Sequence, residues 1–121
     1  MSLPTSFNSA LVAGTLSSPP RKRQLPSGSV LLNLEVRVDH ADRAADSVPV
    51  SVFDPAATVA KLAEGDPVVV VGSIRRRFFR AGGATVSRTE VVADKVVRAN
   101  RRAAVDRLAA AAVAAIAAAP G

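Results

Sequence analysis

An all-β fold is predicted, built from five short strands with one short helix between the third and the fourth, and followed by an alanine-rich C-terminal helix. Three observations predict it. Apolar and polar residues alternate with a period of two through much of residues 6–98, and that period sends successive side chains to opposite faces of a strand. Clusters of proline, glycine and charged residues cut the alternation into short runs, as turns do. From Ala99 onward the alternation ends and alanine dominates, a composition that favours helix. The chain therefore divides into a β domain at 1–98 and a helical tail at 99–121.

The first strand is expected from Ser6 to Leu16, in a β-leaning apolar stretch that stops before Pro19 and Pro20, where strand pairing would lose backbone donors. "PPRKRQLPSG" combines prolines and a glycine with Arg21, Lys22 and Arg23, which reads as a solvent-facing connection with a cationic surface. In "SVLLNLEVRV" the alternation is cleanest: Val30, Leu32, Leu34, Val36 and Val38 share one face, and Leu31, Asn33, Glu35 and Arg37 the other. "HADRAADS" has no apolar period and reads as a connection. The third strand, "SVPVSVF", places Val48, Val50 and Val52 opposite Ser47, Pro49, Ser51 and Phe53, and Pro49 predicts an edge position or a bulge.

Next, "DPAATVAKLAEG" offers Asp54 as an N-cap, Pro55 at the first helical position and Gly65 as a stop, with Val59 and Leu62 spaced to meet a core. The fourth strand covers "DPVVVVGSIRRRFF", the paired glycines of "RAGGA" suit a hairpin turn, and "TVSRTEVVADKVV" returns as the fifth. Five strands with a helix after the third is the connectivity of the OB-fold, a small, partly open barrel that binds oligonucleotides and oligosaccharides. In the tail, Val105, Leu108, Ala112 and Ile116 form a narrow apolar seam, for a partner helix or for the barrel. The run from Leu108 to Ala119 is shorter than the roughly 20 residues a membrane span needs.

At 121 residues one ordinary domain and a tail is the expectation. Sixteen Lys and Arg against ten Asp and Glu give a formal net charge of +6, a balance that favours a polyanionic partner. The chain has no cysteine, which removes disulfides, thiolate metal sites and cysteine nucleophiles. The N-terminal stretch lacks the positive and long apolar regions of a signal peptide, so a cytoplasmic location is expected.

"IRRRFFR", Ile74 to Arg80, sets four arginines around two of the four phenylalanines in the chain. With Val68, Val70, Gly72 and Ile74 facing the core, Arg75, Arg77 and Phe79 share the outward face. On the inward phase Phe78 is expected to plug the barrel end while Arg76 and Arg80 reach past the rim into water. An exposed aromatic ring between guanidinium groups suits unpaired nucleotides: bases stack on the ring, for roughly 1–3 kcal/mol each, and phosphates meet the cations. Phe53 shares the outward phase, Arg37 and Arg88 extend the cationic track, and Arg21, Lys22 and Arg23 guide a strand past the loop. The candidate nucleic-acid-binding residues are thus Arg21, Lys22, Arg23, Arg37, Phe53, Arg75, Arg77, Phe79 and Arg88.

The sequence also resembles the bacterial single-stranded DNA-binding protein family over roughly Asn8 to Val97. "NSALVAGTLSSPPRKRQLPSG" is similar to the family's opening strand, bend and turn, at Gly14, Pro20, Arg23, Pro26 and Gly28. "VPVSVF" resembles its third strand, with Phe53 at a base-stacking position, and "AKLAEGDPVVVVGSIRRRFF" its helix end, turn and arginine-rich strand, with Phe79 where the family usually has tryptophan. "TEVVAD", Thr89 to Asp94, resembles its last strand. The resemblance implies single-stranded DNA binding in replication, repair or recombination, and homotetramers or homodimers of such barrels. Two departures stand out: Ser47 occupies a position where the family commonly offers a stacking tryptophan, and residues 99–121 are alanine-rich where replication members carry an acidic tail. Fewer stacking rings imply lower affinity per strand.

No catalytic residue, metal site or cofactor is expected. His40, the one histidine, lies in a polar loop and reads as an exposed loop residue. Glu35 and Glu90 are expected to pair with nearby arginines rather than to perform acid and base chemistry. The glycines match neither a P-loop nor a dinucleotide fingerprint. The functional expectation is therefore sequence-tolerant binding and protection of single-stranded DNA, with RNA left open because phosphate and ring contacts are common to both. The alternative is an oligomerisation or protein-interaction module on the same barrel, with weak or lost nucleic-acid binding.

Overall fold

A computed structural model describes residues 6–118. The chain is mostly strand, with a C-terminal helix, in the order β1 (Ala10–Leu16), β2 (Arg21–Gln24), β3 (Val30–Val38), β4 (Asp46–Phe53), α1 (Ala57–Ala60), β5 (Pro67–Ala81), β6 (Ala84–Arg98) and α2 (Arg102–Ala118). The sheet order is β1-β5-β6-β4-β3-β2, and β1 pairs a second time, with β3. Two narrow seams turn the sheet on itself: β1 meets β3 at Thr15 and Leu16, and β4 runs parallel to β6 at Val50 and Ser51. This arrangement is consistent with an OB-fold.

Alternation puts Leu16, Leu34, Val36, Val50, Val68 and Val70 on the inner side, where all are fully buried. Burial of each such side chain contributes roughly 1.5–3 kcal/mol against the entropy of ordering it. Val59 and Leu62 join this core as their spacing predicts, although the helix that carries Val59 is only one turn long. Gly14 is required where β1 crosses β3, because a Cβ there would lie 2.2 Å from the Arg37 carbonyl oxygen. Gly72 is required opposite the irregular stretch of β6 that leaves Asp94 unpaired, where a Cβ would lie 2.0 Å from the Val92 oxygen.

Several expectations are corrected. Arg21–Gln24 is not a loop but a short edge strand, so the sheet has six strands rather than five. Its four side chains are all exposed, so no apolar period betrays it; the strand exists because its backbone pairs with β3. The first strand begins at Ala10 rather than Ser6. Asp54 does not cap α1: it has φ 48°, and its Oδ1 accepts a hydrogen bond of 2.9 Å from the Val30 N–H, while Ala56 occupies the cap position. Pro49, by contrast, has the edge position it predicts and needs no bulge, because β4 joins β6 only from Val50 onward and Pro49 thus has a single neighbouring strand, β3.

Helix α2 packs against β5 and β6, with Leu108 buried and Val105 and Ala112 half-buried. Val113 and Ile116, further along, are exposed. Among the described residues no helix is long and apolar enough to cross a membrane.

Candidate nucleic-acid interface

Strands β5 and β6 are both 15 residues long, and their outer ends leave the sheet. Pairing of β5 with β1 ends at Gly72, and the Asn8 amide closes the junction by bonding both the N–H and the carbonyl of Ile74. From Arg75 to Thr89 the two strands pair only with each other, forming a hairpin arm that turns at Gly82 and Gly83, both at positive φ.

Residues in register across a sheet lie on the same face, so the face of each candidate residue follows from the pairings. Arg75 pairs with Glu90, Arg77 with Arg88 and Phe79 with Val86. Val92, two residues from Glu90, pairs with Ser51, which pairs with Asn33, which pairs with Arg21. Arg37 pairs with Ser47, and Phe53 with Leu31, whose other partner is Arg23. One outer face therefore carries Arg21, Arg23, Arg37, Phe53, Arg75, Arg77, Phe79 and Arg88. Lys22 has the opposite parity: it pairs with Leu32 and lines a separate cavity of about 760 Å³ with Pro20, Asp54 and Leu62.

The cations on this face fall into two classes. Arg77 Nε lies 2.5 Å from Glu90 Oε1, and Arg88 reaches both Glu90, at 3.8 Å, and Glu35, at 3.6 Å. Glu90 is only 3% exposed and is further held by the Ser51 hydroxyl, which donates to Oε2 across 2.5 Å. Glu35 accepts a hydrogen bond of 3.0 Å from Ser47 Oγ. As expected, the two carboxylates pair with arginines. Arg37 is tied to Asp39 at 2.9 Å. Among the described residues Arg21, Arg23 and Arg75 have no acidic partner, and they flank the paired centre. Like charges directly opposite one another, such as Arg77 and Arg88, repel; Glu90 between them removes the conflict.

Phe53 and Phe79 are 48% and 44% exposed on this face. Phe78 is corrected: it does not plug the barrel but lies 65% exposed on the reverse side of the arm, with the Arg76 guanidinium 5.1 Å from its ring centroid. Its inward phase is real, but the arm has by then outrun the core. His40, expected to be an exposed loop residue, is half-buried and pairs with Asp46 at 2.8 Å. Among the described residues no group of three or more His, Cys, Asp and Glu side chains is placed to hold a metal ion.

Sequence reasoning named Glu35 and Glu90 without linking Glu35 to Ser47 or Glu90 to Ser51. The available signal was their shared outward phase on neighbouring strands, which becomes informative only once the pairing partners are known.

The family model described as the single-strand binding protein family matches residues 7–99. No curated protein matches the chain.

Proposed function

The chain belongs to the single-strand binding protein family, and we propose that its outer sheet face and hairpin arm form a groove that binds and protects single-stranded DNA. The observation that carries this reading is the convergence, among the described residues, of two exposed phenylalanines and three arginines without an acidic partner on one face of the six-stranded sheet. Bases stack on Phe53 and Phe79, Arg75 at one side and Arg23 at the other hold phosphates, and Arg21 adds a third cation beside the paired centre. Arg37, Arg77 and Arg88 contribute less charge to the strand because their guanidinium groups already face carboxylates, and Lys22 meets the strand only where it passes the barrel edge.

The chemistry is binding alone, in the cytoplasm, in the service of replication, repair or recombination. Phosphate and ring contacts of this kind hold DNA and RNA alike. Strand binding belongs to the domain at 1–98, and the tail at 99–121 is a second unit whose described helix, α2, packs on β5 and β6. A second copy of the chain would cover apolar side chains such as Leu11 and Ile74, which are exposed, and a homodimer or homotetramer would join several grooves.

The test is the fluorescence anisotropy of a labelled oligo-dT, with a duplex of equal length as competitor, at low and moderate salt. Salt-sensitive capture that the duplex does not displace supports the groove. Absence of capture at low salt would shift the function to protein interaction, through the reverse side of the arm where Ile74 and Phe78 are exposed.

A further inference from the structure

Between β2, β3 and β6 the outer face contains a polar notch of about 70 Å³, walled by Ser18, Pro19, Arg21, Asn33, Glu35 and Arg88. A notch of this size has room for the edge of a base and not for a whole nucleotide. Its chemistry is mixed in a defined way. Arg21 and Arg88 only donate hydrogen bonds, while an ionised Glu35 only accepts them. Glu35 uses one oxygen for Ser47 and directs the other toward Arg88, 3.6 Å away; a carboxylate has about four lone-pair sites, so acceptor capacity is left facing the notch.

The electrostatics decide which part of a nucleotide enters. Of the two cations in the notch, Arg88 is matched by Glu35 and Glu90, so a phosphate at this spot gains only from Arg21 and is repelled by the neighbouring Glu35 carboxylate. Phosphates are drawn instead to Arg23 and Arg75 at the flanks, which leaves the bases turned toward the centre. Pro19 gives the notch one apolar wall for a ring to lie against.

We propose that this notch reads the Watson–Crick edge of one base of the bound strand and selects guanine. Guanine N1–H and its exocyclic amino group donate side by side to the Glu35 carboxylate, and O6 accepts from Arg21. Thymine offers a single N–H flanked by two carbonyl oxygens, which the carboxylate repels. Cytosine and adenine each offer one amino group and no adjacent ring N–H. The binding face is thus sequence-tolerant along most of its length and selective at one position, through a specificity-determining residue, Glu35. This inference rests on the reading of the face as a single-strand interface.

The test compares three labelled oligonucleotides of equal length by anisotropy, in a lithium salt that discourages guanine quadruplexes: all thymine, thymine with isolated guanines, and thymine with inosine at the same places. Guanine is expected to tighten binding at least about fivefold over thymine, the low end of what a bidentate base contact discriminates. Inosine, which lacks the exocyclic amino group, loses a large part of that gain. In Glu35→Gln the guanine-to-thymine ratio falls toward one, while affinity for the all-thymine oligonucleotide rises because a negative charge has been removed. Equal affinity of the wild-type protein for all three overturns the notch and leaves single-strand capture standing. Capture of none overturns both.

Discussion

Arg77 Nε lies 2.5 Å from Oε1 of Glu90, whose side chain is 1% exposed. The two residues are diagonal neighbours on the hairpin, since Glu90 pairs with Arg75 and Arg77 with Arg88. A buried carboxylate at the root of the arm therefore anchors two arginines of the face, Arg77 and Arg88. Breaking a charge-assisted hydrogen bond costs about 1.5–3 kcal/mol, and the arginines, half-exposed, recover part of that from water. Glu90→Gln is expected to lower stability by about 2 kcal/mol in urea denaturation, and an unchanged midpoint would deny the anchor.

The division between paired and unpaired arginines predicts unequal salt dependence. Each phosphate neutralised on a single strand contributes about 0.7 to the slope of log K against log salt. Arg75→Ala is expected to reduce the slope by about that amount. Arg77→Ala leaves Glu90 with one cation fewer and has a smaller effect on the slope. Equal changes would mean that the ion pairs open when the strand binds.

The two adjacent phenylalanines separate by face. Phe79→Ala is expected to weaken oligo-dT binding by about 1–3 kcal/mol, the worth of one stacked base. Phe78→Ala, on the reverse side, leaves affinity close to wild type. Both side chains are exposed, so both variants should unfold within about 0.5 kcal/mol of the parent, as surface substitutions do. A larger loss of affinity for Phe78→Ala would relocate the groove.

Gly72→Ala tests the sheet where β6 carries its extra residue. The new Cβ would lie 2.0 Å from the Val92 carbonyl oxygen, a backbone atom that moves only if the β5–β6 pairing moves with it. Overpacking of this kind costs about 1–3 kcal/mol or more, and thermal unfolding should shift down accordingly. Full retention of the wild-type melting temperature would show that the pairing adjusts freely.

The loop between β3 and β4 makes a pH prediction. The hydrogen bond from His40, with the nearby Arg43 charge, holds the Asp46 carboxyl below the usual carboxylate range, against the smaller opposing effect of burial. A carboxyl with a depressed folded-state pKa adds stability above its unfolded value, and that contribution is lost as pH falls through the folded value. An NMR titration of the Asp46 carboxyl is expected to show it still ionised where an ordinary aspartate protonates, and His40→Ala should return it toward the ordinary range. A wild-type midpoint in the ordinary range would remove the pairing from solution.

Period-two alternation made β3 legible residue by residue, and the same rule read through "IRRRFFR" put Arg75, Arg77 and Phe79 together on the outward face. Those inferences needed nothing beyond the local stereochemistry of an extended chain. The β2 strand was hidden because Arg21–Gln24 is held by backbone pairing to β3 and has no buried side chain to announce it. Asp54 looked like a helix cap because its neighbours in sequence suggested one, whereas its carboxylate serves Val30, 24 residues away. The Ser51–Glu90 contact spans 39 residues, and the balance of charge on the face follows from it. Alternation is written into each segment, so strand faces can be read from residues alone; the partners of Glu90, the exposure of Phe78 and the sorting of the arginines depend on which segments meet, and pairing across the sheet settles that.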